Sequence, residues 1–127
     1  MAAVFGYLTN TIIDSQTVGI YVHTDSSASL DATLWGTGTS WANIHDWSGD
    51  GTINTTANKS GLPDFADPAA GDYHIGLDSA AYNEGVDAGV TLDIDHQPRP
   101  YEEPDIGADE YWPPGVLKTI FLPLITR

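Results

Sequence analysis

The sequence contains no cysteine and only four basic residues among 127. The lack of cysteine excludes a disulfide framework, thiol catalysis and a cysteine-ligated zinc site. Eighteen acidic residues against those four bases give a net charge of −14 at neutral pH. Nucleic acid and anionic membrane surfaces would repel such a chain, so neither is expected as a partner. The same charge favours bound cations, with Ca²⁺ first among them.

Long apolar runs and helical periodicity are also lacking. No segment approaches the roughly 20 apolar residues of a membrane span, so no span is predicted. No N-terminal stretch has the basic and apolar regions of a signal peptide. Apolar residues do not recur at helical spacing over a useful length, so we expect no helix longer than about three turns.

The N-terminal half consists instead of short segments rich in Val, Ile, Thr, Tyr and Leu, separated by polar turns. Within it the pattern of Leu8–Ile13 recurs at Leu30–Trp35. A third copy at the same spacing would place three threonines in one column: Thr11, Thr33 and Thr55. A period of about 20–25 residues, built from short strands, favours a parallel β-solenoid in which each repeat forms one rung. An antiparallel β-sandwich is the alternative.

The chain divides into three parts within one domain. Residues 1–61 are predicted to form two to three rungs, residues 62–111 a loop-rich C-terminal cap, and residues 112–127 an apolar tail. Turn-forming pairs interrupt the cap every few residues. Such a segment becomes ordered only if its few apolar side chains dock on a preformed surface. The expected fold is therefore all-β, a short parallel β-helix with a C-terminal cap.

A series of motifs runs through the cap in a fixed order. They are Asp67-Pro68, Gly71-Asp72-Tyr73, Gly76 to Ala81, Asp87-Ala88-Gly89, Asp93 to Pro100, and Asp105 to Tyr111. Together they resemble the C-terminal segment of secreted bacterial right-handed parallel β-helix proteins, a pectate-lyase-like and polymorphic outer-membrane-protein-like group with a choice-of-anchor Q type ending. His96 departs from the family pattern, which usually has glycine there. The resemblance implies a structural end piece of a secreted or cell-surface protein, extracellular and non-enzymatic in isolation.

Four aromatic side chains suggest a second function, a carbohydrate-binding module with a polysaccharide partner. The residues that could stack on sugar rings are Trp35, Trp41, Trp47 and Tyr73. A third hypothesis is a fragment of a polysaccharide lyase or hydrolase. The chain has too few rungs for a substrate groove and too few bases to neutralise an acidic sugar, so no catalytic residue is predicted.

Two groups in the cap have residue types suited to metal binding or ion pairing. Asp93 and Asp95 place two carboxylates on one side of an extended segment, which suits a Ca²⁺ site. The alternative, which we favour, is that they accept backbone N–H bonds in a tight loop, with Arg99 pairing one of them. Arg99 is expected to form a structural salt bridge with Asp105 or Glu110. No cofactor is predicted, and Ca²⁺ is the one ion that the less favoured interpretation of Asp93 and Asp95 would bind.

Both ends of the chain suggest self-association. Val4–Ile13 would form an open first rung, and no charged residue precedes Asp14. The tail contributes seven large apolar residues: Val116, Leu117, Ile120, Phe121, Leu122, Leu124 and Ile125. We therefore expect a homo-oligomer whose contact involves the first strands, the tail or both.

Overall fold

The computed structural model describes residues 2–116 and is all-β in that range, as predicted. Its strands are β1 (Phe5–Ile13), β2 (Val18–Tyr21), β3 (Ser27–Gly36), β4 (His45–Ser48), β5 (Thr52–Thr56), β6 (Lys59–Gly61), β7 (Phe65–Asp67) and β8 (Asp72–Ile75). The one helical element among these residues is a 3₁₀ turn at Pro68–Ala70. None of the described residues forms a helix long and apolar enough to span a membrane. The apolar tail beyond Val116 lies outside the described range.

The strands of the N-terminal half pair in parallel and form two sheets. The larger sheet has the order β1, β3, β5, and β6 also pairs with β3. The smaller sheet consists of β2 and β4. Leu8 lies opposite Leu30, and Thr11 lies opposite Thr33. The repeat predicted from the sequence therefore matches the register in which β1 pairs with β3.

The predicted third copy of the repeat was misaligned. Thr55 lies opposite Leu30, not opposite Thr33, because β5 follows β3 at a longer spacing than β3 follows β1. Two connections account for the difference. Gly36 and the loop 37–44 together are five residues longer than their counterpart 14–17, whereas the turn 49–51 is two residues shorter than its counterpart 22–26, so the spacing grows by three residues. The sequence spacing therefore drifts although the strands remain aligned.

Three residues with left-handed backbone conformation form a column across the larger sheet. Asn10, Ala32 and Ala57 have φ angles of 50°, 55° and 54°. The registers place Asn10 beside Ala32, and Ala32 beside Ala57. Each strand therefore bends at the same level, and the side-chain alternation changes phase at the bend.

The bend gives the larger sheet two buried faces. Ala28, Leu30 and Trp35 pack with Val22 between the two sheets. Leu34 is adjacent to Trp35 in β3 and therefore points to the opposite face, where it joins a second cluster. That cluster contains Ala32, Leu34, Ile75, Ala81 and Ile106. This explains why the first half of β3 alternates in burial while the second half is continuously buried.

Residues 62–111, the cap segment, cover this second face. The segment begins with the antiparallel pair β7 and β8. It then crosses the strands in the order β6, β3, β1. Ala80 packs so closely against Gly61 that a Cβ added there would collide with the Ala80 Cβ. Ala81 joins the cluster on β3. The Asn10 side chain on β1 accepts from the Val86 N–H at 2.8 Å and donates to the Val86 carbonyl at 2.7 Å.

Candidate functional site

The Arg99 guanidinium lies at the centre of the cap segment and is only 8% exposed as a residue. Its Nη2 lies 3.2 Å from the Glu110 Oε2 and donates to the Asp105 carbonyl at 2.8 Å. Its Nη1 donates to the Gly107 carbonyl at 3.1 Å. The structure thus brings Arg99 and Glu110 together, whereas Asp105 meets the guanidinium through its backbone. Lys59 differs, because its ion pair with Glu84 is exposed.

The carboxylates around Arg99 hold backbone N–H groups of several loops. Glu110 accepts from the Tyr101 N–H at 2.8 Å and from the Asp105 N–H at 3.1 Å. Asp105 accepts from the Asn83 and Tyr111 N–H groups, each at 2.6 Å. Two buried side chains thereby connect four separate points of the cap segment.

Burial makes this cluster sensitive to pH. It raises the pKa of Asp105 to about 7, although the Asn83 and Tyr111 N–H groups favour the ionised carboxylate. Burial also raises the pKa of Glu110 and of Asp109 above their ordinary values. Four buried acids, Asp93 included, share one buried arginine among the described residues. The cluster therefore carries more negative than positive charge when all its members are ionised.

Asp93 forms the tight loop that the sequence predicts, but the ion pair of Arg99 is with Glu110 and not with Asp93 or Asp95. Its Oδ1 accepts from the Asp95 and Gln97 N–H groups, each at 2.8 Å, and its Oδ2 accepts from the Glu110 N–H at 3.1 Å. Asp95 points elsewhere, towards His74. A Ca²⁺ ion held by Asp93 and Asp95 would compete with three backbone hydrogen bonds at Asp93.

His74 on β8 forms a cluster that the sequence did not predict. Its Nδ1 lies 2.5 Å from the Asp72 Oδ1, and its Nε2 lies 2.5 Å from the Asp95 Oδ2. The bonds to Asp72 and then Asp95 raise the pKa of His74 to about 9. The ring is therefore charged at neutral pH and donates from both nitrogens. It links β8 to the loop after Asp93.

Among residues 2–116, His74, Asp95 and Asp109 also form a group that could hold a metal ion. One ligand atom from each lies within 4.8 Å of the others. A charged imidazole has no lone pair for a metal, so the proton and a metal would compete for this position. A usable sequence signal was the Asp72-x-His74 spacing, which places both side chains on one face of a strand. The approach of Asp95 depends on loop closure and had no local signal.

The aromatic residues predicted to bind sugar do not form one surface. Trp35 is 7% exposed in the core between the sheets, so its ring cannot stack on a sugar. Trp41 meets Phe65 edge-to-face at 5.6 Å, and Phe65 meets Tyr73 in the same way at 5.2 Å. Tyr73 is half exposed, and so is Trp47 on β4.

The aromatic row of Trp41, Phe65 and Tyr73 borders an open groove. The groove has a volume of about 410 Å³ and is lined by Ile12, Ile13, Asp14, Gln16, Gly19, Phe65 and Tyr73. Burial raises the pKa of Asp14 there. Comparison with protein-family models, curated proteins and solved structures found no match for this chain. Its function is therefore inferred from its own residues.

Proposed function

We propose that the chain is a structural end unit of a parallel β-helix and has no catalytic activity of its own. β1 with β2, and β3 with β4, would each form one rung. The parallel registers along β1, β3 and β5 support this stacking. We expect a right-handed helix, because parallel crossover connections are right-handed in nearly all proteins. The resemblance of the cap motifs supports a secreted or cell-surface location.

The hydrogen bonds that the buried carboxylates accept are the observation that supports this proposal. Asp93, Asp105 and Glu110 each accept backbone N–H bonds on both oxygens. A catalytic acid, base or nucleophile must reach the substrate with a free oxygen. These side chains could do so only by releasing the loops they hold. Their role is therefore to fasten the cap segment over Leu34 and its neighbours.

Replacement of Glu110 by alanine tests this role. Glu110→Ala removes the acceptor for two backbone N–H groups and leaves Arg99 as an unpaired buried charge, so the cap segment should detach. We expect faster proteolysis within residues 62–111 and binding of a hydrophobic dye to the uncovered face. Glu84→Ala, which breaks only an exposed pair with Lys59, is the matched control. Equal protease resistance of Glu110→Ala and the unmodified chain would contradict the proposal.

An enzymatic assay tests the alternative that the chain is a fragment of a polysaccharide lyase or hydrolase. Acidic and neutral polysaccharides are incubated with the intact chain, with and without Ca²⁺, and unsaturated and reducing ends are measured. We expect no release above the background of a heat-denatured sample. Turnover by the intact chain would overturn the proposal of a non-enzymatic unit.

A carbohydrate-binding function is a second candidate, favoured by the exposed Tyr73 beside the groove that contains Asp14 and Gln16. Glycans that bind there should change the fluorescence of Trp41, which adjoins the same aromatic row. Tyr73→Ala should abolish this change, while Tyr7→Ala, at a tyrosine 81% exposed on β1, should not. A broad glycan panel without effect on fluorescence would exclude this candidate.

A further inference from the structure

A cavity of about 250 Å³ lies beside β8 in the cap segment, and polar side chains line much of it. These include His74, Asp95, Gln97, Asp109 and Glu110. His74, Asp95 and Asp109 each offer one nitrogen or oxygen atom to a common point, with no two of these atoms more than 4.8 Å apart. The three residues come from separate places in the chain: β8, the loop after Asp93, and the position before Glu110. The cap segment therefore converges on this cavity.

The Asp109 carboxylate is the buried member of the group, since Asp109 is only 5% exposed. Its Oδ2 accepts from the Ile75 N–H at 2.9 Å, whereas its Oδ1 accepts no hydrogen bond from residues 2–116. The other buried acids in this range, Asp93, Asp105 and Glu110, accept backbone N–H bonds on both oxygens. A buried carboxylate is costly unless donors or a cation satisfy it. Asp109 thus retains an oxygen for a ligand.

The His74 ring is oriented by a second carboxylate. The Asp72 Oδ1 accepts from the His74 Nδ1 at 2.5 Å and from the His74 backbone N–H at 3.1 Å. The Nε2 atom is on the other side of the ring, 2.5 Å from the Asp95 Oδ2. Histidines that bind metals usually donate their second ring N–H to a carboxylate, which fixes the tautomer and the direction of the ring. Asp72 stands in this relation to His74.

The spacing and the atom types favour a small transition-metal ion. Ligand atoms about 2.0 Å from a tetrahedral zinc ion lie roughly 3.3 Å from one another. The His74–Asp95 contact is shorter than this and the 4.8 Å limit of the group is longer, so small rotations of the exposed Asp95 side chain suffice. Imidazole together with carboxylate suits Zn²⁺ and similar ions, whereas Ca²⁺ prefers oxygen ligands alone.

We infer that His74 Nε2, Asp95 Oδ2 and the Asp109 carboxylate bind one divalent transition-metal ion, for which Zn²⁺ is the best fit. This site differs from a Ca²⁺ site at Asp93 and Asp95, because Asp93 holds backbone N–H groups with both oxygens. The ion would join three points of the cap segment, and water would fill the position that faces the cavity. The inference adds a bound metal to the proposed structural unit and does not depend on that proposal.

Charge also favours the ion over the proton that His74 otherwise carries on Nε2. That proton brings one positive charge to Asp95 and Asp109, whereas a divalent ion brings two. Binding would therefore displace the Nε2 proton, while Nδ1 keeps its own proton towards Asp72.

Calorimetric titration of the chelator-treated chain with Zn²⁺ at neutral pH tests the site. We expect one ion per chain, and His74→Gln and Asp109→Asn should each weaken binding by at least about tenfold. Asparagine at position 109 retains an oxygen for the Ile75 N–H. His45→Gln on β4 and Asp78→Asn, both exposed and outside the cavity, are the matched controls and should leave the affinity unchanged.

Circular dichroism checks that each variant folds. Asp95→Asn, at an exposed position, provides the same test of Zn²⁺ binding if His74→Gln or Asp109→Asn does not fold. Absence of Zn²⁺ binding to the unmodified chain would overturn the inference. Equal weakening by the control variants would also overturn it, because the chain would then attract cations only through its general negative charge.

Co²⁺ serves as a spectroscopic probe of the same site. Co²⁺ held by the three side chains should have a visible absorption spectrum different from that of the aqueous ion, and excess Ca²⁺ should not restore the aqueous spectrum. Asp72→Ala should change the spectrum of bound Co²⁺ and weaken its binding by about tenfold, because the His74 ring loses its orientation. An unchanged aqueous spectrum, or displacement of Co²⁺ by Ca²⁺, would contradict the site.

The metal site and the proposed function can fail separately. Detachment of the cap in Glu110→Ala without Zn²⁺ binding by the unmodified chain would leave the structural role intact and remove the metal site. Zn²⁺ binding together with an unaffected cap in Glu110→Ala would do the reverse.

Discussion

At the scale of single residues, the buried Arg99 should matter far more than the exposed Lys59. Arg99→Ala removes the donor to two backbone carbonyls and leaves Glu110 as an unpaired buried charge. Breaking a buried pair in this way costs roughly 3–5 kcal/mol of unfolding free energy. Lys59→Ala should cost less than about 1 kcal/mol, because its pair is solvated. Thermal and denaturant unfolding measure both, and equal small effects would contradict the structural role of Arg99.

The raised pKa values of two residues predict that the stability of the fold decreases as the pH rises. His74 has a folded pKa of about 9, above its ordinary 6.5, so its contribution is complete below pH 6.5 and is lost towards pH 9. Asp105 has a folded pKa of about 7, above its ordinary 3.8, so the fold retains its proton and ionisation destabilises it between pH 4 and 7.

Melting temperatures measured from pH 4 to pH 9 test both contributions. His74→Gln should flatten the profile above pH 6.5, and Asp105→Asn should flatten it below pH 7. A melting temperature that rises steadily up to pH 9 would contradict both assignments.

At the scale of elements, the bend of the strands depends on alanines in an unfavourable backbone conformation. Ala57 is exposed and has a φ of 54°. Glycine adopts this conformation without steric cost, so Ala57→Gly should raise the unfolding free energy by roughly 0.5–1 kcal/mol. Ala66→Gly, at an exposed strand position without positive φ, should lower it by a similar amount. Destabilisation by both substitutions in denaturant unfolding would show that the column is unstrained.

The sequence predicted some of these elements and missed others for physical reasons. The match of Leu8 with Leu30 was visible because both strands repeat the same apolar and threonine pattern. The shift of Thr55 was hidden because one loop lengthens while another shortens, and loops have little pattern of their own. The bends at Ala32 and Ala57 could not be predicted, since alanine normally avoids positive φ. Here the parallel pairing with neighbouring strands overrides that local preference.

The sequence also predicted only part of the candidate site. The proximity of Arg99 and Glu110 followed from motifs close together in sequence. The His74 cluster did not, because it joins residues from β8 and from a loop whose approach depends on the whole cap segment. The burial of Trp35 depends on the second sheet, which no local pattern indicated.

At the scale of the whole molecule, the open edge of β1 should cause the isolated chain to self-associate. Tyr7→Pro removes an N–H that points away from β3 and should weaken association without loss of a sheet hydrogen bond. Tyr7→Ser removes the same ring but retains the N–H, so it should associate like the unmodified chain. Sedimentation over a concentration series measures this. A strict monomer at all concentrations would contradict the expected oligomer, and equal weakening by both variants would assign association to the ring.

The unequal lengths of the loops 14–17 and 37–44 have a practical consequence. β1 and β3 stay in register although the chain between β3 and β4 is longer than that between β1 and β2. The longer segment contains a turn in which the Ala42 N–H donates to the Gly38 carbonyl, and Thr39 and Ser40 in this turn are exposed. A foreign peptide inserted between Thr39 and Ser40 should therefore be displayed on the surface while both sheets keep their pairing, which makes this corner a graft site for epitopes or affinity tags.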